Sequence, residues 1–483
     1  MKTIIVYDNH ISKSEAITDI IGQKGFADVV IHKQRVEEYT AGFILPVFQQ
    51  AVWKKISSAF EYAELETYLK QYEEDEVHIV HLFANAWLSN PQEALLSFQK
   101  FNYAQEPWRM TYNGKTVCLF FPHIKTYLTY CKNSMAGLSV AEASDMVQQA
   151  FEAQGIADLS NIQQFTHYIT AHADSRYFNS LEEDAYTLTK TSTDKIKLKK
   201  EYTYYRLLPD DMKRWFVMPY NYQENEKTAS YMMERLHMTD LAIKWVHGSI
   251  SLEDFAGLLT IYFHFFNNRH ARTCTAEVYH RHTHQLYIEK LDKRLRELKN
   301  HSAFPRLAQL LAAGEISLDN LVERYKICKQ KIEQNTVYPL QEVIGHGDPG
   351  FANTLYNKAT RLLKFVDPKG ALCDEELWTH PYYDIAKLSH CICGRYDFFN
   401  QNLFDIKLNK ELHYELSIPF NQIPYQQLFK QQVTQHGFDY NTVRVYEVSL
   451  FLSMLPLHMD NPYKVVGFIL NARNILEELE SYV

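Results

Sequence analysis

Between two helical blocks the chain carries His346-Gly347-Asp348-Pro349-Gly350-Phe351-Ala352-Asn353, preceded by apolar Val343-Ile344 and followed by Thr354-Leu355-Tyr356. A second short apolar stretch, Leu362 to Val366, runs directly into Asp367-Pro368-Lys369-Gly370. The pattern therefore sets an Asp, an Asn five positions on, and another Asp at the end of the next strand. Two ordinary turns would also explain it, because Asp-Pro and Pro-Gly are common turn formers. That explanation has to be invoked twice at one fixed spacing, whereas a single chemical task accounts for all three residues together.

Phosphoryl transfer is such a task. One carboxylate accepts or orients the proton of an attacking hydroxyl, while an amide oxygen and a second carboxylate hold Mg2+ against the phosphates of ATP. The protein-kinase catalytic loop uses the same Asp-to-Asn spacing, with its metal-binding Asp one hairpin later. On this reading Asp348 is the catalytic base, and Asn353 and Asp367 are the metal ligands.

At these residues the chain resembles the aminoglycoside phosphotransferase and choline kinase-like family, whose pattern is H-G-D-x-x-x-x-N followed by a strand-borne Asp. It resembles more closely the phosphotransferase-family proteins associated with bacterial capsule and surface-polysaccharide genes. The stretches that carry this resemblance are Gly350 to Tyr356, Val366-Asp367-Pro368-Lys369-Gly370, Tyr383-Asp384-Ile385-Ala386-Lys387-Leu388-Ser389-His390 and Gly394-Arg395-Tyr396-Asp397-Phe398. The resemblance spans roughly residues 175 to 400 and implies a bilobal protein-kinase-like fold of the aminoglycoside phosphotransferase type, with ATP and Mg2+ as cofactors. It further implies that His346 and Asp384 support the site structurally, Asp384 by bracing the catalytic loop through hydrogen bonds. Direct contact of Asp384 with substrate is the alternative.

The upstream parts fit by position. Tyr186 to Lys190 reads as a strand ending in the lysine that meets nucleotide phosphates, and Glu201 on the next helix is its ion-pair partner. Solvated surface charges are the competing explanation for both. Tyr231-Met232-Met233-Glu234-Arg235-Leu236 reads as the hinge between lobes, with Met233, Glu234 and Arg235 as cofactor-binding residues. Two departures stand out. No G-x-G-x-x-G precedes Lys190, so a turn near Asn179-Ser180 would have to cover the phosphates. Lys369 stands where the capsule-type pattern also allows Arg, which removes any bidentate contact there.

Other features point to plainer roles. His280 and His284 share a helix face, but no H-E-x-x-H is present and a polar helix surface, or a wall of the acceptor pocket, accounts for them. His390 reads as a core histidine sooner than a cleft residue. The net charge of -8 argues against broad nucleic-acid binding. Seven scattered cysteines without zinc-ligand spacing read as reduced thiols of a cytoplasmic protein. Nothing approaches the roughly 18 apolar residues of a membrane span, and Ile4 to Tyr7 reads as a first strand rather than a secretory core.

The chain is expected to be multidomain, α/β followed by α+β. Residues 1–160 form an N-terminal α/β domain, with strands at Thr3–Tyr7, Phe26–His32, Val77–Ala84 and Val117–Phe121. Asn90-Pro91 opens one of its helices, and Ser139 to Glu142 is a capping box opening another that Gly155 closes. Val80 to Trp87 vaguely resembles the middle of a sugar-nucleotidyltransferase sheet, but the glycine-rich start is missing after Tyr7, so a degenerate, noncatalytic domain is expected. A polar, aperiodic stretch from 156 to 175 marks the boundary. Residues 175–240 form the small kinase lobe, with strands from Arg176 to Leu181 and from Ala185 to Thr191 joined by a Glu182-Glu183-Asp184 turn. Residues 241–483 form the helical lobe, with the catalytic loop at 346–353 and the metal segment at 366–370. The expected function is an ATP-dependent kinase phosphorylating a hydroxyl of a sugar or amino alcohol in capsule or surface-polysaccharide biosynthesis. A catalytically silent kinase-like scaffold and a bifunctional nucleotidyltransferase/kinase are the alternatives.

Overall fold

The computed structural model describes residues 2–73, 76–136, 138–170, 179–184, 186–411 and 413–482. The chain divides into two compact units, one of Met1–His172 with His247–Ser249 and the other of Ala173–Val246 with Ile250–Val483.

The first unit is built on a six-stranded mixed sheet. Lys2–Asp8 lies between Ala51–Ile56 and Val77–Phe83 and runs parallel to both. Lys115–Phe121 then pairs antiparallel with Val77–Phe83 and with Trp108–Tyr112, and Gln149–Glu152 closes the edge. Ile4, Ile5, Val6 and Tyr7 are all buried, so both faces of this strand are covered, which is why it reads as a continuous apolar run rather than an alternating one.

Several local expectations for this unit fail for identifiable reasons. Phe26–His32 is not one strand. Phe26–Asp28 forms a 3-10 turn, because the Ala27 N–H is taken by the Asn9 side chain (2.9 Å), and only Val30–Ile31 pairs, with Gln34–Arg35. His32 and Lys33 carry the hairpin turn at φ 53° and 62° without the glycine that usually announces one. The Ser139 capping box is present but opens only Val140–Ala143. Gly155 closes no helix; it sits at φ 67° ahead of the strand Ile156–Asp158. The supposed polar connection from 156 contains that strand and a helix, Ile162–Thr170, which buries Phe165 and Ile169. Asn90 stands at the N-cap of Pro91–Gln99 but makes no side-chain capping bond.

The second unit begins with a four-stranded antiparallel sheet in the order Asn179–Glu183, Thr187–Ser192, Ala229–Glu234, Pro219–Glu224. The first expected strand began at Arg176, and 176–178 and Ala185 lie outside the described residues. Glu182 and Glu183 belong to the strand rather than to a turn. The turn begins at Asp184, whose carboxylate accepts the N–H groups of Tyr186 and Thr187, both at 2.7 Å. The helix Lys195–Leu207, capped by Asp194, packs Leu198 against Tyr231 and Met233 of the sheet.

The remainder is mainly helical. Leu252–Asn268 carries Phe255, Leu258, Leu259, Tyr262, Phe263 and Phe266 at helical spacing into the core, opened by Ser251. Ala276–His284 continues through a π-helical turn, Gln285–Glu289, into Lys290–Lys299. Phe304–Ala313, Leu318–Asn335 and the final Pro462–Glu480 are further helices of this lobe. A strand pair not anticipated from sequence, Asp405–Leu408 with Tyr414–Ser417, interrupts the last hundred residues. The motif-bearing segments are short strands set into this helical mass. Gln341–Ile344 pairs with Ala271–Thr273 and Trp378–Thr379, and Thr354–Asn357 pairs with Leu362–Phe365.

Phe365, the last residue of that hairpin, is almost wholly buried and sits 4.8 Å from the ring of Phe265, 5.2 Å from His346 and 5.8 Å from Phe216. Replacing it with Ala leaves a cavity among rings that have little room to collapse, so Phe365→Ala is expected to cost about 3–5 kcal/mol, read from the urea midpoint of the second unit's transition.

Candidate active site

His346 is buried, and its ring stacks on Phe216. Its Nδ1 accepts the Asp348 N–H (3.0 Å), and its Nε2 lies 3.0 Å from the Val366 carbonyl, to which the neutral ring donates. Burial pushes the His346 pKa down, outweighing the nearby carboxylates, which fits this single-proton tautomer. One imidazole thus ties the loop bearing Asp348 to the strand end bearing Asp367. The Lys369 N–H to the His346 carbonyl (2.9 Å) and the Val366 N–H to the Asn353 carbonyl (3.0 Å) repeat that tie through the backbone.

Asp384 lies under the loop, fully buried on the helix Tyr383–Ile392. Its Oδ2 accepts the His346 N–H (2.9 Å), its Oδ1 the Gly347 N–H (2.8 Å), and the Arg269 guanidinium adds a third bond at 3.0 Å. Arg269 is buried as well and also donates to the Pro381 carbonyl. Gly347 adopts φ 85°, and a Cβ there would collide with Lys369, so only glycine suits the turn.

Asp348 itself keeps about half of its side chain exposed, with Oδ1 3.1 Å from Lys387 Nζ. Burial raises its carboxyl pKa, but the Lys387 ammonium outweighs that effect and holds it below the ordinary carboxylate range. Asn353 donates Nδ2–H to the Asp348 carbonyl (2.9 Å), and its Oδ1 accepts no hydrogen bond among the described residues.

Asp367 sits at φ 54°, a left-handed conformation uncommon outside glycine, with its side chain partly exposed. Its Oδ1 meets Lys190 Nζ at 2.8 Å, while Oδ2 has no partner among the described residues. Lys190, buried on the strand Thr187–Ser192, also binds Glu201 Oε2 at 2.7 Å, and Tyr231 donates its hydroxyl to the same oxygen at 3.1 Å. Burial disfavours the Lys190 charge, yet the two carboxylates prevail and raise its pKa. Gly370 packs against the backbone of Lys200 and Glu201, where a Cβ would not fit, and the Ala371 N–H reaches the Lys200 carbonyl (3.0 Å). The helix bearing Glu201 is therefore docked on the segment bearing Asp367.

A narrow pocket of about 20 Å³ beside this triad is lined by Tyr205, Phe216, Val217, Tyr231, Met233 and Asp367. Met233 is in that wall, and Glu234 is exposed at the strand end. Arg235 is not free to offer its backbone N–H, because that group bonds to the Tyr186 carbonyl (2.8 Å) and its guanidinium reaches the Asp184 carbonyl. Asn179-Ser180 forms strand rather than a covering turn. His280 and His284 lie on Ala276–His284, and among the described residues no three His, Cys, Asp or Glu side chains converge to hold a metal. His390 is buried, stacked on Tyr396 at 4.6 Å. Sequence reasoning quoted Lys387 but gave it no role. Its signal was the three-residue spacing from Asp384, which puts both on one face of a helix. Arg269 and Lys290 carried no comparable signal.

Hard oxygen donors are what the site offers a metal. Mg2+ is commonly held by one or two carboxylates with substrate phosphates and water completing its shell, and Asp367 with Asn353 fits that requirement.

No protein-family model matches the chain, and no curated protein matches it. Among solved structures it is similar to a choline/ethanolamine kinase family protein from Mesorhizobium loti, with 11% identity, 63% of this chain and 86% of that chain covered, and a TM-score of 0.36. It is similar to a thermostable mutant of the aminoglycoside phosphotransferase APH(4)-Ia at 10% identity, covering 62% of this chain and 94% of that one, TM-score 0.36. It is also similar to the spectinomycin phosphotransferase APH(9)-Ia, in complex with ADP and spectinomycin, at 7% identity, 64% and 90% coverage, and a TM-score of 0.37. These likenesses are distant, and function has to be read from the geometry above.

Two predictions follow from the site's support. Arg269→Ala leaves the buried Asp384 carboxylate without its counter-charge and is expected to cost about 3–5 kcal/mol, measured by urea unfolding. His346, His380 and His390 are all held neutral by burial, with folded pKa values below the usual one. For a depressed histidine pKa the unfolded chain binds more protons, so the stability is present above about pH 6.5 and is lost as pH falls below it. The melting temperature should therefore drop on acidification from about pH 7.5 to about pH 5.5, and drop less steeply in His346→Asn.

Proposed function

We propose that the second unit is an ATP- and Mg2+-dependent kinase that phosphorylates a hydroxyl group of a small molecule. The observation that carries this reading is a set of five side chains: Lys190 tied at once to Glu201 and Asp367, Asn353 with an amide oxygen that accepts no hydrogen bond among the described residues, and Asp348 half-exposed. Each member has a task in phosphoryl transfer. Asp367 and Asn353 would hold Mg2+, which when bound neutralises charge on the transferring phosphate. Lys190, positioned by Glu201, would meet the nucleotide phosphates, and Met233 and Glu234 at the end of the neighbouring strand would contact the nucleotide. Asp348 would accept the acceptor's proton as the hydroxyl oxygen bonds to the γ-phosphorus. In the same step the bond from that phosphorus to the bridging oxygen breaks, and ADP leaves with the oxygen.

The low pKa of Asp348 suits this role, since the carboxylate is ionised at neutral pH and needs only to orient and receive a proton late in a loose transition state. The capsule-type stretches around Asp367-Pro368-Lys369-Gly370 and Tyr383-Asp384-Ile385-Ala386-Lys387 support a place in surface-polysaccharide biosynthesis, with a sugar or amino alcohol as the acceptor class. Nothing in the first unit's sheet favours a nucleotidyl-transferring role, and it enters this reading as a noncatalytic domain.

The test is transfer of label from γ-labelled ATP to a small-molecule extract. Wild-type protein should label at least one compound in the presence of Mg2+. Asp348→Asn should keep ADP binding and lose transfer by about 10²–10⁴-fold, and Asp367→Ala should lose Mg2+-dependent nucleotide binding. Retained transfer in Asp348→Asn would remove that residue from the base role. Nucleotide binding with no transfer by the wild type would favour the silent scaffold.

A further inference from the structure

The kinase reading leaves the charge of the acceptor open, and the groups behind Asp348 speak to it. Lys387 Nζ has Asp348 as its ion-pair partner at 3.1 Å. A second ammonium stands close by. Lys290 Nζ receives no carboxylate within ion-pair distance among the described residues; its partner is the neutral Tyr383 hydroxyl at 2.9 Å, with the ring centroid at 5.4 Å. Tyr383 belongs to the helix that carries Asp384 and Lys387. Among the described residues Asp348 is thus the one carboxylate within ion-pair distance of either ammonium group.

The chemistry of the neighbouring groups registers that surplus. Burial raises the Tyr383 phenol, but Lys290 and Lys387 outweigh it and leave its pKa below the usual value. His390 is buried with Nε2 unpartnered, and Lys387, Asp348 and Lys290 are among the charged groups that act on its ring. Backbone geometry supplies a separate pointer. The π-helical turn Gln285–Glu289 ends immediately before Lys290, and such turns, which shift a helix's register by one residue, are frequent at functional sites. A half-buried ammonium held only by a phenol is poorly compensated for its burial, which is the condition of a group that expects a further anion. An acceptor with a fixed positive charge would meet repulsion here, because a site that selects cations offers carboxylates or an open aromatic face.

We propose that the acceptor carries an anionic group, phosphate or carboxylate, held by Lys290 and Lys387 while its hydroxyl faces Asp348. This deepens the kinase reading and depends on it. Lys290 is a specificity residue in this account. Lys387 has two tasks, orienting Asp348 and neutralising the acceptor.

Paired compounds that differ only in the anionic group provide the test. The full chain is saturated with ADP and Mg2+, and its thermal midpoint is followed with glycerol, glycerol 3-phosphate, glycerate, glucose, glucose 6-phosphate and choline. The phosphate or carboxylate member of at least one pair should raise the midpoint where its neutral partner does not. The apparent affinity of that compound should fall about tenfold or more in Lys290→Met and recover in Lys290→Arg, with ADP binding retained in both. Glycerol 3-phosphate against glycerate separates phosphate from carboxylate as the recognised group. Equal response to charged and neutral partners, a larger response to choline, no response to any anionic compound, or a Lys290→Met protein that keeps the preference would each overturn the proposal. If ADP and Mg2+ themselves fail to stabilise the wild type, the kinase reading fails, and that outcome is visible before any acceptor is added.

Discussion

The loop His346–Asn353 is held from beneath by one buried carboxylate. Asp384 receives the N–H groups of His346 and Gly347 and the guanidinium of Arg269, so three donors satisfy a charge that has no access to water. Taking two charges out of water is costly and is repaid only when geometry is close and the remaining lone pairs are used. Here the backbone of the loop supplies those bonds. The loop conformation and the position of the Asp384 carboxylate therefore stabilise each other, and a residue buried beneath the loop sets where Asp348 stands.

From that point the site extends in two directions with different electrostatics. Towards the four-stranded sheet, His346 and the Lys369 and Val366 backbones tie the loop to Asp367, which meets Lys190 and, through it, Glu201. There Lys190 is shared between two carboxylates, with Lys197 also 3.8 Å from Glu201, and Asp367 keeps one oxygen without a partner among the described residues, open to a cation such as Mg2+. On the other side, along the helix Tyr383–Ile392, Lys387 and Lys290 outnumber Asp348. Asp348 lies where the two halves meet, and on the proposed reading it would take the proton of the acceptor hydroxyl there.

The placement of Asp348, Asn353 and Asp367 was legible in the sequence, because Asp348 to Asn353 is a loop length and Asp367 follows a strand. The pairing of Lys190 with Glu201 was legible from a strand followed by a helix, although the strand runs on to Ser192 rather than ending at Lys190. The helical lobe was legible from the apolar period of Leu252–Asn268 and its Ser251 cap. What stayed hidden depends on tertiary contacts. Arg269 reaches Asp384 across 115 residues of sequence, and Lys290 reaches Tyr383 across 93, and no local pattern encodes either meeting. The Ala51–Ile56 and Trp108–Tyr112 strands were missed because partly buried strands carry mixed side chains. The strand expected at Phe26–His32 failed because the Asn9 amide took the Ala27 donor that a sheet would have needed. Arg235 was expected to serve the nucleotide, yet its donors close the Asp184 turn instead.

Titration calorimetry of the full chain with a nonhydrolysable ATP analogue, in the presence and absence of Mg2+, tests the central claim most directly. The account predicts saturable binding at a single site that tightens by about tenfold or more with Mg2+, and loses that Mg2+ dependence in Asp367→Ala. Absence of binding, or binding whose affinity is the same with and without Mg2+, would contradict it.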